Sequence, residues 1–418
     1  LTALLSRLSR SVLQVAGLPV LLCCCALLGV RAGPVAAQEP AAQPTPATQT
    51  NKTAKPAKAI KQANKPASKQ VKARGKSAKA AQAVKPVNKK SRAAPVQGPP
   101  YSSRPEVMAF ADELATRRGL DAAWVRQTLG QAHLVPAAVR LMQPPTQAFV
   151  KNWRVYRSRF IDAHRIEAGL QFWRAHRSAL ARAENEFGVP AEMIVGIIGV
   201  ETIYGQDTGN YRVLDALTTL AFDFPASHPR AAERSEFFKK EIEAFLSLQK
   251  QTGGDPLAPR GSYAGAMGLP QFMPSSWQRF AVDYDGDGKI DLWHSPADVI
   301  GSVANYFKAF GWKPGMPTHY PVSFDTARLD METLMAPDIL PTFSVPSFLA
   351  KGAVLEGAAV QHSGPLALVE LLNGPDPAQY VAGTENFYVI TRYNWSSYYA
   401  MAVIELGREV AGKFKAAP

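Results

Sequence analysis

The chain has 418 residues, 46% of them hydrophobic and 19% charged, with a net charge of +13 and a pI near 9.6. The charge is unevenly placed: the first hundred residues hold 17 Lys and Arg against the single acid Glu39, a balance of +16, so residues 101–418 come to −3. A basic face with interleaved aromatics on a folded domain is therefore absent, which excludes a nucleic-acid-binding reading, and seven scattered His with no His-Glu-x-x-His exclude a common zinc site.

Residues 1–37 combine Arg7 and Arg10, an apolar run from Val15 to Val30 and a small-residue site at Val35-Ala36-Ala37. This is the layout of a secretory signal peptide, and the run is short of the roughly 20 residues that span a bilayer. All three cysteines, Cys23, Cys24 and Cys25, lie within it, so a chain cut after Ala37 has neither disulfide nor thiol chemistry. Leu21-Leu22 before Cys23 lacks the small residue that lipoprotein processing favours, which argues against a lipid anchor and for an exported, periplasmic protein. From residue 38 to about 100 the composition is Ala, Lys, Pro, Gln and Asn without an aromatic. Such a segment cannot bury enough apolar surface to fold and reads as a tether, either a solvated spacer or one attracting anionic envelope polymers or a membrane surface.

Residues 101–418 form the folded part, large enough for a substantial core. Helical spacing of apolar residues predicts helices over Glu106–Arg118, Asp121–Gln131 and Ile161–Phe187, ended by Gly188-Val189-Pro190. Pro190 then opens a helix through the apolar stretch that starts at Met193 and ends in one carboxylate, Glu201. A carboxyl at the lip of a core keeps its proton near neutral pH and serves as a general acid; a helix-end Glu pointing into water is the alternative. Further helices are predicted over Arg234–Lys250, Ser275–Val282, Pro296–Phe310 and Ala400–Phe414. The Pro-punctuated runs Pro321–Phe324, Leu366–Leu372 and Phe387–Arg392 predict strands of a small β-rich lobe within residues 311–392.

Asp283-Tyr-Asp285-Gly-Asp287-Gly288-Lys289-Ile290-Asp291 carries oxygen ligands at loop positions one, three and five, Gly at six and an apolar residue at eight, the spacing of an EF-hand calcium loop. His294 stands where the closing Glu belongs, so the closing carboxylate must come from elsewhere, with Asp298 the candidate; a metal-free Asp/Gly turn is the alternative. Calcium here would stiffen the fold, since no nucleophile is near in sequence. The segment Gly261–Trp277, rich in small residues, sets Ser262, Gln271 and the ring of Phe272 where they could meet a sugar, or could simply be a tight packing segment.

In order, Gly-Val-Glu201-Thr-x-x-Gly, then Gly-Ser262-x-Ala-Gly-Ala-Met-Gly-x-x-Gln271-Phe272-Met-Pro-Ser-Ser, the Asp/Gly loop, Gly301-Ser-Val-Ala-Asn305-Tyr306 and Ile-Thr-Arg392-Tyr393-Asn394 closely resemble the lytic murein transglycosylase B family of cell-wall enzymes, over residues 105–411. The resemblance implies an α+β, predominantly α, lysozyme-like fold with an α-rich lobe, a small β-rich lobe and a calcium loop. It also implies cleavage of the MurNAc–GlcNAc β-1,4 bond of peptidoglycan glycan strands without water, leaving 1,6-anhydro ends; no organic cofactor is called for, and a monomer is expected. By position it implies Glu201 as acid/base, Ser262 as the hydroxyl near it, Gln271 as a glycan-binding amide, and Tyr156, Tyr306, Tyr393, Asn394 and Tyr399 in the cleft. Asp283, Asp285, Asp287, Asp298 and the Lys289 carbonyl match the metal site. The chain departs from the pattern at Glu233-Arg234, which stands for a pair of arginines that face the stem peptide, and at Leu269-Pro270 beside Gln271. A lysozyme-type hydrolase and a non-catalytic wall-binding scaffold are the rival functions.

Overall fold

The computed structural model describes residues 97–145 and 150–416. The signal peptide with its cysteines, and the tether up to residue 96, lie outside the described residues. The chain is already folded at its first described residues: the Gly98 amide donates to the Leu134 carbonyl at 2.7 Å, and the Gln97 side chain donates to Asp215 at 2.7 Å.

Fifteen α-helices are described, and most of the first two thirds of the fold is helical. The first seven are α1 (Pro105–Arg118), α2 (Ala122–Gly130), α3 (Pro136–Leu141), α4 (Trp153–Arg157), α5 (Ala163–Ala175), α6 (Arg177–Phe187) and α7 (Ala191–Thr202). The pattern expected to run unbroken from Ile161 to Phe187 is two helices, because His176 leaves helical geometry at φ −119°, ψ 24°. Gly188, left-handed at φ 69°, ends α6, and Pro190 caps the start of α7 as the sequence leads one to expect. α8 (Val213–Phe222) is a helix that periodicity does not reveal, since Val213 through Ala221 are buried on every side. It packs on the long α9 (Ala231–Thr252), followed by α10 (Pro274–Phe280) and α11 (Pro296–Ala309).

The β-rich lobe is built around a three-stranded antiparallel sheet. Two-residue strands β1 (Tyr211–Arg212) and β2 (Arg260–Gly261) pair in the helical part, and the lobe itself starts with β3 (His319–Pro321) and β4 (Ser323–Phe324). Pro321–Phe324 is thus not one strand: pairing is interrupted at Val322, and β3 and β4 belong to different sheets. After α12 (Met331–Met335) and α13 (Val345–Ala350), β5 (Ala353–Val354) pairs with β4. β6 (Ala367–Asn373) and β7 (Asp376–Gly383) complete the order β3-β7-β6. β6 matches the expected apolar run because both its faces are covered: Val369 and Leu371 join the main core, while Leu368 on the opposite face joins a smaller cluster with Leu334, Phe348 and Ala382.

Phe387–Arg392, expected as a strand, is instead helical, within α14 (Glu385–Tyr393). Its aromatic and β-branched residues suit either state. Thr384 decides for helix, its side chain accepting from the Asn386 amide as an N-cap, and Phe387 and Ile390 at helical spacing enter the core. The last helix, α15 (Ser397–Ala416), lies against α7. The two backbones touch through glycines: a Cβ on Gly196 would stand 2.3 Å from the Val403 carbonyl oxygen, and one on Gly407 2.1 Å from that of Glu192. This close crossing brings the start of α15 to the end of α7.

Candidate active site

α7 ends in a turn that projects Glu201. Ile203 and Tyr204 are left-handed at φ 51° and 56°, followed by Gly205 at φ 86°. Two successive non-glycine residues in that region store strain of roughly 1–3 kcal/mol each, so their surroundings must hold them there. Tyr204 does so by wedging its ring between α5 and α7: a Cβ on Gly199 or Gly169 would come within 2.4 or 2.5 Å of its phenol oxygen. Thr202, fully buried, donates to the Leu269 carbonyl at 2.9 Å and accepts from the Gly205 amide at 3.0 Å. The end of α7 is thereby fastened to the Gly261–Met273 loop.

Glu201 itself is half-buried, and Tyr399 donates to its Oε1 at 2.5 Å. Burial pushes its pKa up to about 8, against a smaller opposing effect of the Tyr399 bond. The unsatisfied carbonyls at a helix C-terminus also disfavour a negative charge. The surrounding wall is aromatic. Tyr399 stacks on Tyr393 with centroids 6.4 Å apart, Tyr393 lies 4.8 Å from Tyr306, and Phe272 lies within 5.8 Å of both. Burial raises the phenol pKa values of Tyr306 and Tyr393; the charge of Glu201 adds to it next at Tyr393, and at Tyr306 it adds less than the charges of Arg392 and Arg279 oppose, which marks all three as neighbours. Tyr393 donates to the Pro270 carbonyl at 2.5 Å and Tyr306 to the Arg392 carbonyl at 2.7 Å, so both rings are locked in orientation.

Among the described residues the other buried acids are all consumed by structure. Asp215 accepts from Gln97, the His133 amide and Arg212; Glu241 accepts from the amide and hydroxyl of Ser275 at the start of α10; Glu243 pairs with Arg117 and Arg118. Half-buried Asp223 is likewise held by Tyr101 and Arg104. Among the described residues no cation pairs with Glu201.

The remaining residues singled out in the sequence fall into distinct places. Ser262 is completely buried, and its Oγ accepts from the amides of Ala264 and Ala266 at 3.3 and 3.0 Å, shaping the loop. Gln271, itself left-handed at φ 52°, donates to the carbonyls of Thr208 and Gly268 at 3.2 and 2.8 Å and so ties the loop to the segment after Glu201. Phe272 is 2% exposed and supports Tyr306 and Tyr393 from behind, so the open flat surface expected of it is absent. Tyr156 belongs to a neighbouring aromatic group with Trp153, Phe160 and Tyr398. Asn394 caps the end of α14, and its Oδ1 is buried with no hydrogen-bond partner among the described residues. Arg234 sits in the first turn of α9, beside the Arg230–Glu233 pair.

In the Asp/Gly loop, Asp283, Asp285 and Asp287 each offer a carboxylate oxygen within 4.8 Å of the others, all solvent-exposed. The loop is curled by its own backbone: the Gly286 and Gly288 amides donate to Asp283 and the Lys289 amide to Asp287, with both glycines left-handed at φ 77° and 88°. Asp298, 1% exposed, accepts from the amides of Tyr284, Asp285 and Asp291 at 2.7, 3.4 and 2.8 Å. It braces the loop from below instead of standing in the exposed trio, and His294 is engaged with Asp291. Three clustered carboxylates on a preformed turn fit a hard cation with oxygen ligands.

The transglycosylase SLT domain family matches residues 102–408. The chain belongs to this family. It is 39% identical over 330 residues, 75% of the chain and 85% of the relative, to membrane-bound lytic murein transglycosylase B of Escherichia coli strain K12. Among solved structures, the catenated lytic transglycosylase SltB1 of Pseudomonas aeruginosa is 41% identical with a TM-score of 0.69, the match covering 75% of this chain and 99% of that one. The Escherichia coli lytic transglycosylase Slt35, solved in complex with calcium, is 39% identical with a TM-score of 0.65, covering 76% and 96%. The fold is therefore the mostly helical, lysozyme-like fold of the lytic transglycosylases. In this transglycosylase, sequence inspection misses Thr202 and Tyr204 as the parts that hold the acid in place. Their signal was present, as a Thr and a Tyr between the carboxylate and a glycine in Glu-Thr-Ile-Tyr-Gly. It also misses that Tyr399, 198 residues away, is the direct partner of Glu201. Among the described residues no helix is long and apolar enough to cross a membrane.

Proposed function

We propose that this transglycosylase cleaves the MurNAc–GlcNAc β-1,4 bond of peptidoglycan with Glu201 as its single acid/base, leaving 1,6-anhydroMurNAc ends. One observation carries this reading: among the described residues Glu201 is a half-buried carboxyl with no cation and a single phenol partner, while the fully buried acids are spent on amides, hydroxyls and guanidinium groups. A hydrolase working through two carboxylates needs a second free one across the cleft. Protonated Glu201 gives its proton to the glycosidic oxygen as the bond to the anomeric carbon breaks, with the N-acetyl oxygen of MurNAc assisting at that carbon. The resulting Glu201 carboxylate, steadied by the Tyr399 hydroxyl, takes the proton of the sugar's own 6-hydroxyl as that oxygen bonds to the anomeric carbon and displaces the N-acetyl oxygen, which returns to its amide. The anhydro ring closes, the acid is regenerated, and no water is consumed. Attack by a tethered hydroxyl carries the advantage of proximity. Tyr393, Tyr306 and Asn394 line the sugar site beside this acid, Ser262 and Gln271 keep the facing loop in shape, and Tyr156 and Arg234 serve more distant parts of the strand.

Asp283, Asp285 and Asp287, with the Lys289 carbonyl, would hold calcium, and Asp298 would support the loop that carries them. The ion would cross-link an exposed turn and take no part in the bond cleavage. A thermal titration tests it: calcium at a hundred times its Kd should add about 2.7 kcal/mol of stability, and the gain should vanish in Asp285→Asn. The basic segment before residue 97 would keep the exported enzyme near anionic wall polymers.

The deciding experiment digests purified sacculi with wild type and Glu201→Gln and reads the products by mass spectrometry. Muropeptides lighter by one water, with wild type only, are expected. Full-mass reducing ends would make the protein a lysozyme-type hydrolase, and binding without products a scaffold.

A further inference from the structure

The end of α14 carries a charged and aromatic group that the bond-cleaving chemistry leaves unused. Arg392 is exposed, and its guanidinium carbon lies 5.3, 5.8 and 5.6 Å from the ring centroids of Phe310, Tyr388 and Trp395. Its Nη1 also donates to the Tyr388 hydroxyl at 3.3 Å. Three rings and a hydroxyl thus hold the guanidinium in one place, yet among the described residues no carboxylate pairs with it. Several exposed arginines of this protein are instead held by a carboxylate, as in Arg126 with Asp112, Arg154 with Asp376 and Arg328 with Asp325. Beside it the Trp395 ring is 41% exposed and meets Tyr388 edge-on at 5.9 Å, leaving a large apolar surface open next to a fixed positive charge. The group is continuous with the cleft. The Arg392 carbonyl accepts from Tyr306, Tyr393 is the next residue, and Asn394, with its unpartnered buried oxygen, stands between Tyr393 and Trp395.

We infer that Arg392, Tyr388 and Trp395 form an outer subsite that takes the carboxylate-bearing peptide arm of the substrate. This rests on the glycan-cleaving function proposed above. A strand lying on Tyr393 and Tyr306 projects the lactyl-peptide substituents of its MurNAc residues away from the sugar chain, and their carboxylates are the anionic groups the strand offers. A guanidinium already ordered by stacking presents a planar fork to such a carboxylate without first losing side-chain freedom, while an exposed indole covers the aliphatic part of the peptide. A bare sugar platform would need the indole but not the unpaired cation.

The test measures calorimetric affinity in the Glu201→Gln background, where the ligand is not turned over. Two glycan tetrasaccharides are compared, one with peptide arms bearing free carboxylates and one with those carboxyls amidated. The free-carboxylate ligand should bind about tenfold more tightly. Arg392→Gln should abolish that difference while leaving affinity for the amidated ligand as it was, and Arg392→Lys should restore only part of it. Equal binding of the two ligands by the parent protein, a comparison independent of whether any Arg392 variant folds, overturns the subsite. So does an equal loss on both ligands in Arg392→Gln. Failure of the underlying function looks different, since wild type would then release no anhydro products from sacculi whatever these affinities are.

Discussion

Glu201 and Asp298 are carboxyls placed at opposite ends of two core helices, and their surroundings give them opposite uses. Asp298 stands in the first turn of α11, where helix amides favour negative charge, and three further backbone amides reach its two oxygens. Glu201 stands in the last turn of α7, where the helix opposes negative charge, and one phenol reaches it. The more deeply buried of the two is thus the better supplied with donors. Burial with few donors keeps the proton on a carboxyl, and half-buried Glu201, reached by one phenol, is the acid whose pKa burial pushes up to about 8.

The largest expected effect comes from removing the donor-poor acid. Glu201→Gln keeps the size of the side chain and an acceptor for Tyr399 but has no proton to give, so turnover of sacculi should fall by roughly 10²–10⁴-fold with the fold intact. Anhydro-muropeptide release, beside a circular dichroism spectrum matching wild type, checks this. Turnover within a few-fold of wild type would end the contrast between the two acids.

The same pair predicts a pH dependence of stability. The folded-state pKa of Glu201, about 8, lies above its ordinary value of 4.5, so between these the folded protein holds a proton that the unfolded chain has lost. Stability therefore falls as pH rises from about 4.5 to about 8, by something on the order of 4 kcal/mol for this one group. Glu201→Gln lacks this penalty and should be more stable than wild type at pH 8, with little difference at pH 4.5. Denaturant titrations at the two pH values measure it, and parallel curves would show Glu201 to be better solvated than the structure has it.

Removing the donor-rich acid should act on stability and leave chemistry largely alone. Asp298→Ala strands three amides beneath the Asp/Gly loop and should cost about 2–3 kcal/mol, read as a lowered denaturation midpoint. The stable protein should keep the pH optimum of wild type. A shifted optimum would tie Asp298 to the acid/base chemistry.

How much of this was legible in sequence follows the same division. The long amphipathic helices and the apolar approach to Glu201 could be read because their period reports one buried face. α8 could not, because a segment buried all round has no period to show. Phe387–Arg392 misled because Phe, Tyr, Val, Ile and Thr favour a strand locally, and only the Thr384 cap and the packing of Phe387 and Ile390 reveal the helix. β7 was invisible since its first six residues are at least partly exposed, Asp376, Gln379 and small residues break any apolar run, and Pro377 lies within it. At the site, residue types and spacing pointed to Glu201 and to the Asp trio. The roles of Tyr399 and Asp298 depend on which donors tertiary packing brings near, and a close glycine-mediated crossing of α7 and α15 leaves no local trace.

The smallest effect is the most discriminating, because it adjusts the donor supply of Glu201 without removing the acid. Among the described residues Tyr399 is the one group that favours the ionised form of that carboxyl, and burial overrides it. Tyr399→Phe removes the phenol oxygen and keeps the ring that stacks on Tyr393. With that donor gone the pKa should rise further. A hydrogen bond to a charged group is worth about 1.5–3 kcal/mol, which corresponds to roughly one to two pH units. The alkaline limb of kcat/KM, set near pH 8 by loss of the Glu201 proton, should therefore move upward by about one unit, water taking up part of the vacated role. At the same time kcat should fall several-fold, since the anionic state of Glu201 that accepts the 6-hydroxyl proton has lost its support. A fall in kcat with the limb unmoved would make Tyr399 a support for sugar binding alone, and a downward shift would mean that the phenol had been holding the proton on Glu201, reversing the order of donors on which the contrast with Asp298 is built.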